Sequence, residues 1–138
     1  MREIKFRAVI KATNEVFPVI TIWSNSVCLD LSGSKYEYPE KVFLMDEVEL
    51  MQYTGLHDDS GDEVEIFEND IVEFEYEGST YRGLIKFEGG CVIIACNELP
   101  DSYITMFDIA EFDRDYLWIN GKVIGNKFNN PELMKESD

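Results

Sequence analysis

The only histidine of the chain, His57, stands beside Asp58 and Asp59, and any Ser/His/Asp or Cys/His mechanism would have to use it as the base. Its neighbours are polar and turn-forming, which fits a solvated loop histidine better than a base. The three cysteines, Cys28, Cys91 and Cys96, include one Cys-x4-Cys pair. With a single histidine in the chain they cannot close a tetrahedral zinc site without carboxylates. Each sits among apolar neighbours (Val27, Leu29, Val92, Ala95), the setting of buried, reduced thiols.

Carboxylates are the more abundant resource. Asp58, Asp59, Asp62, Glu63, Glu65, Glu68, Asp70, Glu73, Glu75 and Glu77 follow one another with no intervening Lys or Arg, which invites a calcium loop. On an EF-hand frame starting at Asp58, Ser60 and Asp62 fill the third and fifth positions. Glu63 then stands where the sharp turn needs Gly, and Asn69 where a bidentate Glu closes the shell. The frame fails at both discriminating places. Gly89-Gly90 and Gly121-Lys122 lack the remaining spacing of a phosphate-binding loop, and no carboxylate pair is singled out for glycoside hydrolysis. No catalytic, cofactor-binding or metal-binding residue is therefore assigned.

What remains is charge as a recognition surface. Four of the basic residues, Arg2, Lys5, Arg7 and Lys11, fall in the first eleven positions, while the acids concentrate after His57. Lys5 and Arg7 on one side, and Asp58, Asp59, Asp62, Glu63 and Glu65 on the other, are the candidate interaction residues. A basic strand of one copy docking on the acidic connector of the next would give a homo-oligomer; the plainer alternative is a solvated strand face and a solvated loop. The totals, 28 acidic against 12 basic side chains and a net charge of −16, argue against gripping nucleic-acid phosphates or an anionic membrane. No apolar run is long enough to span a bilayer, and the charged N-terminus lacks a signal peptide's apolar stretch. The expectation is a cytoplasmic protein whose partners are proteins.

These residues must be positioned by strands. Leu, Ile, Val and Phe together far exceed the roughly one-fifth below which a charged chain stays disordered, and 138 residues suffice for one domain. Periodicity is mostly two. Residues 4–10 alternate, with Ile4, Phe6, Ala8 and Ile10 on one face and Lys5, Arg7 and Val9 on the other. Residues 17–23 and 27–31 read as further strands, with Pro18 at a strand start or sheet edge because it lacks a ladder donor. Residues 48–56 read as a strand entering a turn at Gly55. Strands at 71–76, 81–87 and 91–96, joined by Glu77-Gly78-Ser79 and Glu88-Gly89-Gly90, make an antiparallel meander. Tyr103–Phe107 forms another strand, and Asn120-Gly121 joins 116–119 to 122–126 as a hairpin. Asn130-Pro131-Glu132 has the signature of a short C-terminal helix. The predicted architecture is mainly β and antiparallel: a single domain over 1–138 with sub-lobes 1–54 and 70–138 joined by an acidic connector 55–69. The C-terminal meander is expected to close as an SH3-like barrel.

Several segments together resemble the YopX family of phage and prophage proteins. They are the opening Met1-Arg2-Glu3-Ile4-Lys5-Phe6-Arg7-Ala8, Val48 to Leu56, Asp59-Ser60-Gly61, Glu68-Asn69-Asp70-Ile71-Val72, and Val123-Ile124-Gly125-Asn126 with Asn130-Pro131-Glu132-Leu133. Departures stand at Val9, His57 and Asn69. The resemblance implies a mainly β fold, a bacterial-cell setting and a gene carried by a phage or prophage, and it supplies no catalytic residue. The motif around Gly55, Gly61, Ile71 and Val72 reads as backbone geometry and core seating. Three functions follow. The first is a non-enzymatic module that self-associates or binds a host or phage protein, with Trp23 and Trp118 as exposed aromatics. The second is an acidic decoy for a host DNA-binding protein. The third is a carboxylate-based, metal-dependent enzyme.

Overall fold

The computed structural model describes residues 5–58, 64–88, 91–105 and 121–134. The chain divides into two compact units, one within Glu3–Gln52 and the other within Tyr53–Asp138.

The N-terminal unit is an antiparallel sheet of β1 (Phe6–Ile10), β2 (Val16–Ile22), β3 (Ser26–Asp30), β4 (Glu40–Leu44) and the first half of β5 (Val48–His57), in the order β4-β3-β2-β1-β5. Alternation selects one face for the core. Ala8 and Ile10 pair with Phe17, Leu50 and Val48, Val19 with Leu29, and Val27 with Phe43, and these side chains pack together around Leu31. The expected half-buried β1 is in fact buried on both faces at its end, since Val9 is as inaccessible as Ala8. Pro18 is neither at a strand start nor at an edge but within the interior strand β2. It is tolerated because the β2–β3 ladder begins only at Val19, opposite Leu29, so no ladder donor is required of it. Strand β4 and the 3-10 turn Met45–Glu47 were not expected: Glu40-Lys41-Val42-Phe43-Leu44 puts apolar residues on both faces and shows no clean period.

A side-chain clamp holds the loop between β3 and β4. The Tyr36 hydroxyl donates to Glu15 Oε1, the Tyr36 and Phe17 rings meet edge to face at 6.0 Å, and Lys35 Nζ lies 3.8 Å from Glu15. The bond from Tyr36 holds the Glu15 carboxyl below the ordinary glutamate range; desolvation opposes this, while Thr13 and the Lys35 charge add to it. The same bond is the main reason the Tyr36 phenol is raised.

In the C-terminal unit, the second half of β5 pairs with β6 (Glu65–Phe67) through Tyr53↔Phe67 and His57↔Glu65. The ladder slips between these pairs, where Gly55 has φ +89°. Gly55 is thus a bulge inside a continuous strand, not the turn that ends it. A second antiparallel sheet contains β7 (Asp70–Tyr76), β8 (Ser79–Glu88), β9 (Cys91–Ala95), β10 (Tyr103–Thr105) and β11 (Lys122–Asn126), in the order β10-β9-β8-β7-β11. The meander is as expected. Its first turn has φ +50° at Glu77 and +86° at Gly78, the left-handed pair that a two-residue hairpin requires. Ile66, Val72, Phe74, Ile85, Ile94, Leu99 and Ile104 form its core.

Three expectations are corrected here. Among the described residues β10 and β11 end the sheet without pairing to each other, so no closed SH3-like barrel is found. The C-terminal helix is a single 3-10 turn, Pro131–Met134. Asn130, the expected cap, instead turns its Oδ1 back to accept the Asn126 N–H at 3.2 Å, leaving only an i→i+3 bond from Leu133. Cys28 and Cys96 are buried as free thiols, but Cys91 is exposed because it opens β9 beside a hairpin turn. The 116–119 half of the hairpin with β11, and Met106 and Phe107, lie outside the described residues.

Two outcomes follow from this packing. A Cβ at Gly83 would lie 2.3 Å from Ile94 Cγ2 and 3.1 Å from the Ala95 carbonyl. Gly83→Ala should cost about 1–3 kcal/mol by overpacking, read as a lower denaturation midpoint with unchanged slope. A lowered carboxyl pKa contributes stability that is present above the unfolded value and is lost as pH falls through the folded one. Tyr36→Phe should therefore move the Glu15 titration midpoint, followed by NMR, up toward the ordinary range; an unmoved midpoint would deny the clamp.

Candidate interaction surface

The two groups of sequence-derived residues fall in different units. Lys5 precedes β1 and Arg7 lies within it, both half-buried. Arg7 sits opposite Pro18 and Met51, with Nη2 3.8 Å from the Met51 sulfur. Of the other basic residues of this segment, Lys11 is exposed in the turn after β1 and Arg2 lies outside the described residues.

In the C-terminal unit, Asp58 is only 1% exposed. Its Oδ2 accepts the Val123 N–H at 3.0 Å, and its own N–H donates to the Val64 carbonyl at 2.8 Å. Glu65 is half-buried in β6, across from His57. Asp59, Asp62 and Glu63 lie outside the described residues. His57 is a strand residue, not a loop one; its Nε2 is 3.5 Å from the Tyr53 hydroxyl, and the two rings meet edge to face at 6.1 Å. Among the described residues no group of three or more His, Cys, Asp or Glu gathers in an arrangement suited to a metal ion.

Asp70 repeats the role of Asp58. It too is 1% exposed, and its Oδ2 accepts the Phe67 N–H at 2.8 Å. Between these carboxylates the buried Thr54 hydroxyl donates to the Ile66 carbonyl at 2.8 Å. Asn69, at φ +73°, sends its N–H to the Ile85 carbonyl at 2.8 Å and receives the Lys127 N–H on its own carbonyl at 2.9 Å. Asn126 Oδ1 then accepts from the Phe128 and Asn129 N–H groups. A Cβ at Gly125 would lie 2.5 Å from Asn130 Oδ1. The short segments that stood out in the sequence, Glu68 to Val72 and Val123 to Leu133, thus build one joint in which side-chain oxygens satisfy backbone donors between strands.

A surface feature outside every sequence-derived residue is the outer strand of the N-terminal sheet. Val42 is 54% and Leu44 56% exposed, and β4 has β3 on one side and, among the described residues, no strand on the other. Sequence reasoning passed over it because both faces carry apolar residues; the available signal was the apolar trio Val42-Phe43-Leu44 shortly after Pro39.

The comparisons agree with this architecture. The family model described as YopX protein matches residues 5–135. The crystal structure of protein EF1440 from Enterococcus faecalis is similar in fold, with a TM-score of 0.63 at 22% identity, covering 98% of this chain and 100% of that one. No curated protein matches the chain.

If the joint is held by its carboxylates, Asp58→Ala should leave the Val123 N–H without its acceptor. The expected cost is about 1–3 kcal/mol, read by chemical denaturation, with faster hydrogen exchange at Val123. Unchanged exchange there would show that the carboxylate is dispensable.

Proposed function

The chain belongs to the YopX family, and we propose that it works as a non-enzymatic interaction module, a β scaffold that self-associates or holds another protein through a strand edge. The observation that carries this reading is β4, an edge strand whose Val42 and Leu44 are more than half exposed. Edge strands carry unpaired backbone donors and acceptors and template the addition of a further strand. The setting that comes with the family resemblance, a phage or prophage element acting in the cytoplasm of a bacterial host, makes a host or phage protein the alternative partner. No helix among the described residues is long and apolar enough to cross a membrane.

The acidic decoy and the carboxylate enzyme stand second. Of the ten acids from Asp58 to Glu77, Asp58 and Asp70 are buried against backbone N–H groups and present no charge to a partner or substrate. That weakens the argument from acid count for both readings.

Light scattering across protein concentration and ionic strength tests the module. A mass above the 16.0 kDa monomer should appear as concentration rises. Each copy carries −16, so salt should screen the repulsion and favour assembly. Docking of Lys5 and Arg7 on a neighbour's acids would respond to salt in the opposite direction. A monomer under all conditions would remove self-association.

A further inference from the structure

The register of β2, β3 and β4 fixes which side chains stand on the outer face, away from the core around Leu31. Thr21, Cys28 and Val42 form one row, and Trp23, Ser26 and Leu44 the next, since the Trp23 N–H still reaches the Ser26 carbonyl at 2.8 Å. Val27 and Phe43, between these rows, point into the core. The ladder shift between Val19 and Thr21 makes Ile20 an extra residue of β2. A bulge of this kind re-aims the side chains that follow it. Regular alternation from Val19 would have set Trp23 on the core side; the bulge turns it outward.

Ile20 and Trp23 on β2 are 50% and 48% exposed, much like Val42 and Leu44 on β4. Between these two apolar walls β3 contributes only the small side chains of Ser26 and Cys28, so the face is a trough along β3. Strands two apart in a sheet are about 10 Å from each other, the width of an α-helix. Charge lies at the two ends of the trough. Asp30 and Glu40 form the outward row beyond Cys28, and Asp46 and Glu47, both exposed, follow Leu44 at the other end. Asp30 Oδ1 takes the Ser32 N–H and hydroxyl, Glu40 Oε1 faces the Cys28 sulfur, and Glu47 Oε1 accepts the Leu44 N–H. Among the described residues none of these four carboxylates is paired with a Lys or Arg, unlike Glu15, Glu73 and Glu88. No outward residue of β2, β3 or β4 is basic; Lys41 lies on the core side, over the Phe43 ring.

We infer that this trough takes an amphipathic helix of another protein, apolar along one stripe and carrying Lys or Arg at both ends of that stripe. The apolar stripe supplies the contact, and the acids at the two ends select the partner and its placement. Glu40 and Leu44 are about 13 Å apart along the strand, which a helix covers in about nine residues. Charge argues against a second copy as the occupant, because acids would meet acids at both ends. The described segments of this chain that combine apolar with basic residues, 5–11 and 82–86, are moreover already built into β1 and β8. This inference rests on the module reading and adds to it a face beside the β4 edge and the chemistry of the partner.

Calorimetric titration of the full chain with synthetic peptides tests it. Both probes are amidated helices of about fourteen residues with a Leu stripe at helical spacing; one carries Lys at both ends, the other Glu. The Lys peptide should bind at least about tenfold more tightly than the Glu peptide. Glu40→Lys with Asp46→Lys should reverse that order. Ile20→Gln with Leu44→Gln, which leaves the charge unchanged, should weaken the Lys peptide at least about tenfold. All four positions are exposed, so circular dichroism should not change. A preference for the Lys peptide that survives both pairs of substitutions would locate its binding on other acids of a chain of net −16 and overturn the inference. No binding of either peptide would also overturn it, and self-association lost in the Ile20→Gln, Leu44→Gln chain would then give the face to a second copy. In either case a mass above the monomer in light scattering would leave the module reading standing.

Discussion

A buried backbone N–H must find an acceptor, and the C-terminal unit is built around places where the sheet ladder cannot supply one. The slip at Gly55 between Tyr53↔Phe67 and His57↔Glu65 breaks the β5–β6 ladder, and the tight passage through Glu68-Asn69 breaks the link into β7. Asp70 takes up the Phe67 N–H across that passage, Asp58 takes up the Val123 N–H from β11, and Thr54 donates to Ile66 between them. A carboxylate accepting backbone N–H bonds is a stronger acceptor than a neutral side chain, which compensates for burying it. Without these oxygens the strands could still bury Ile66, Ile71 and Val72, but their ends would carry unsatisfied donors.

That account also explains why these short segments were conspicuous in the sequence without a chemical reason for them. Asn69 at positive φ, Gly55 at the bulge and Gly125 pressed against Asn130 are places where backbone geometry limits the residue. Motifs of this kind carry information about shape. The meander from β7 to β9 was legible because each strand alternates and each turn has its own residues. Asp58 and Asp70 were not, because a carboxylate that accepts a backbone bond looks in sequence like one that faces water. His57 was misplaced for the same reason: polar neighbours suggested a loop, whereas the strand runs through Gly55 to its end.

The N-terminal sheet shows a different limit of sequence reading. Strand detection by alternation needs one wet face and one dry face; β1 alternates in sequence and is found, whereas β4 does not and is missed. Around Val9 β1 is buried on both faces, while β4 is largely exposed on both. Pro18 shows a related limit: its missing donor points to a strand start or a sheet edge, whereas the late start of the β2–β3 ladder at Val19 supplies the gap inside the sheet. A sheet's register, set by partners distant in sequence, decides where a donor is needed.

Charge and edge then act at different ranges. A surface carrying −16 keeps copies apart through long-range repulsion that falls off within about 10 Å at 0.1 M salt, whereas strand addition is a contact interaction with fixed donors and acceptors. An exposed β edge on a neutral protein invites indiscriminate pairing. On a highly acidic one, most approaches are opposed by charge, and what survives is an encounter bringing together surfaces with little local excess of acid. β4, with one Glu and one Lys among its five residues, is such a surface. The Leu44 N–H held by Glu47 narrows the choice further, since a partner must leave that donor alone. On the proposed reading of β4 as a docking edge, the acid excess of the chain contributes to the specificity of that edge.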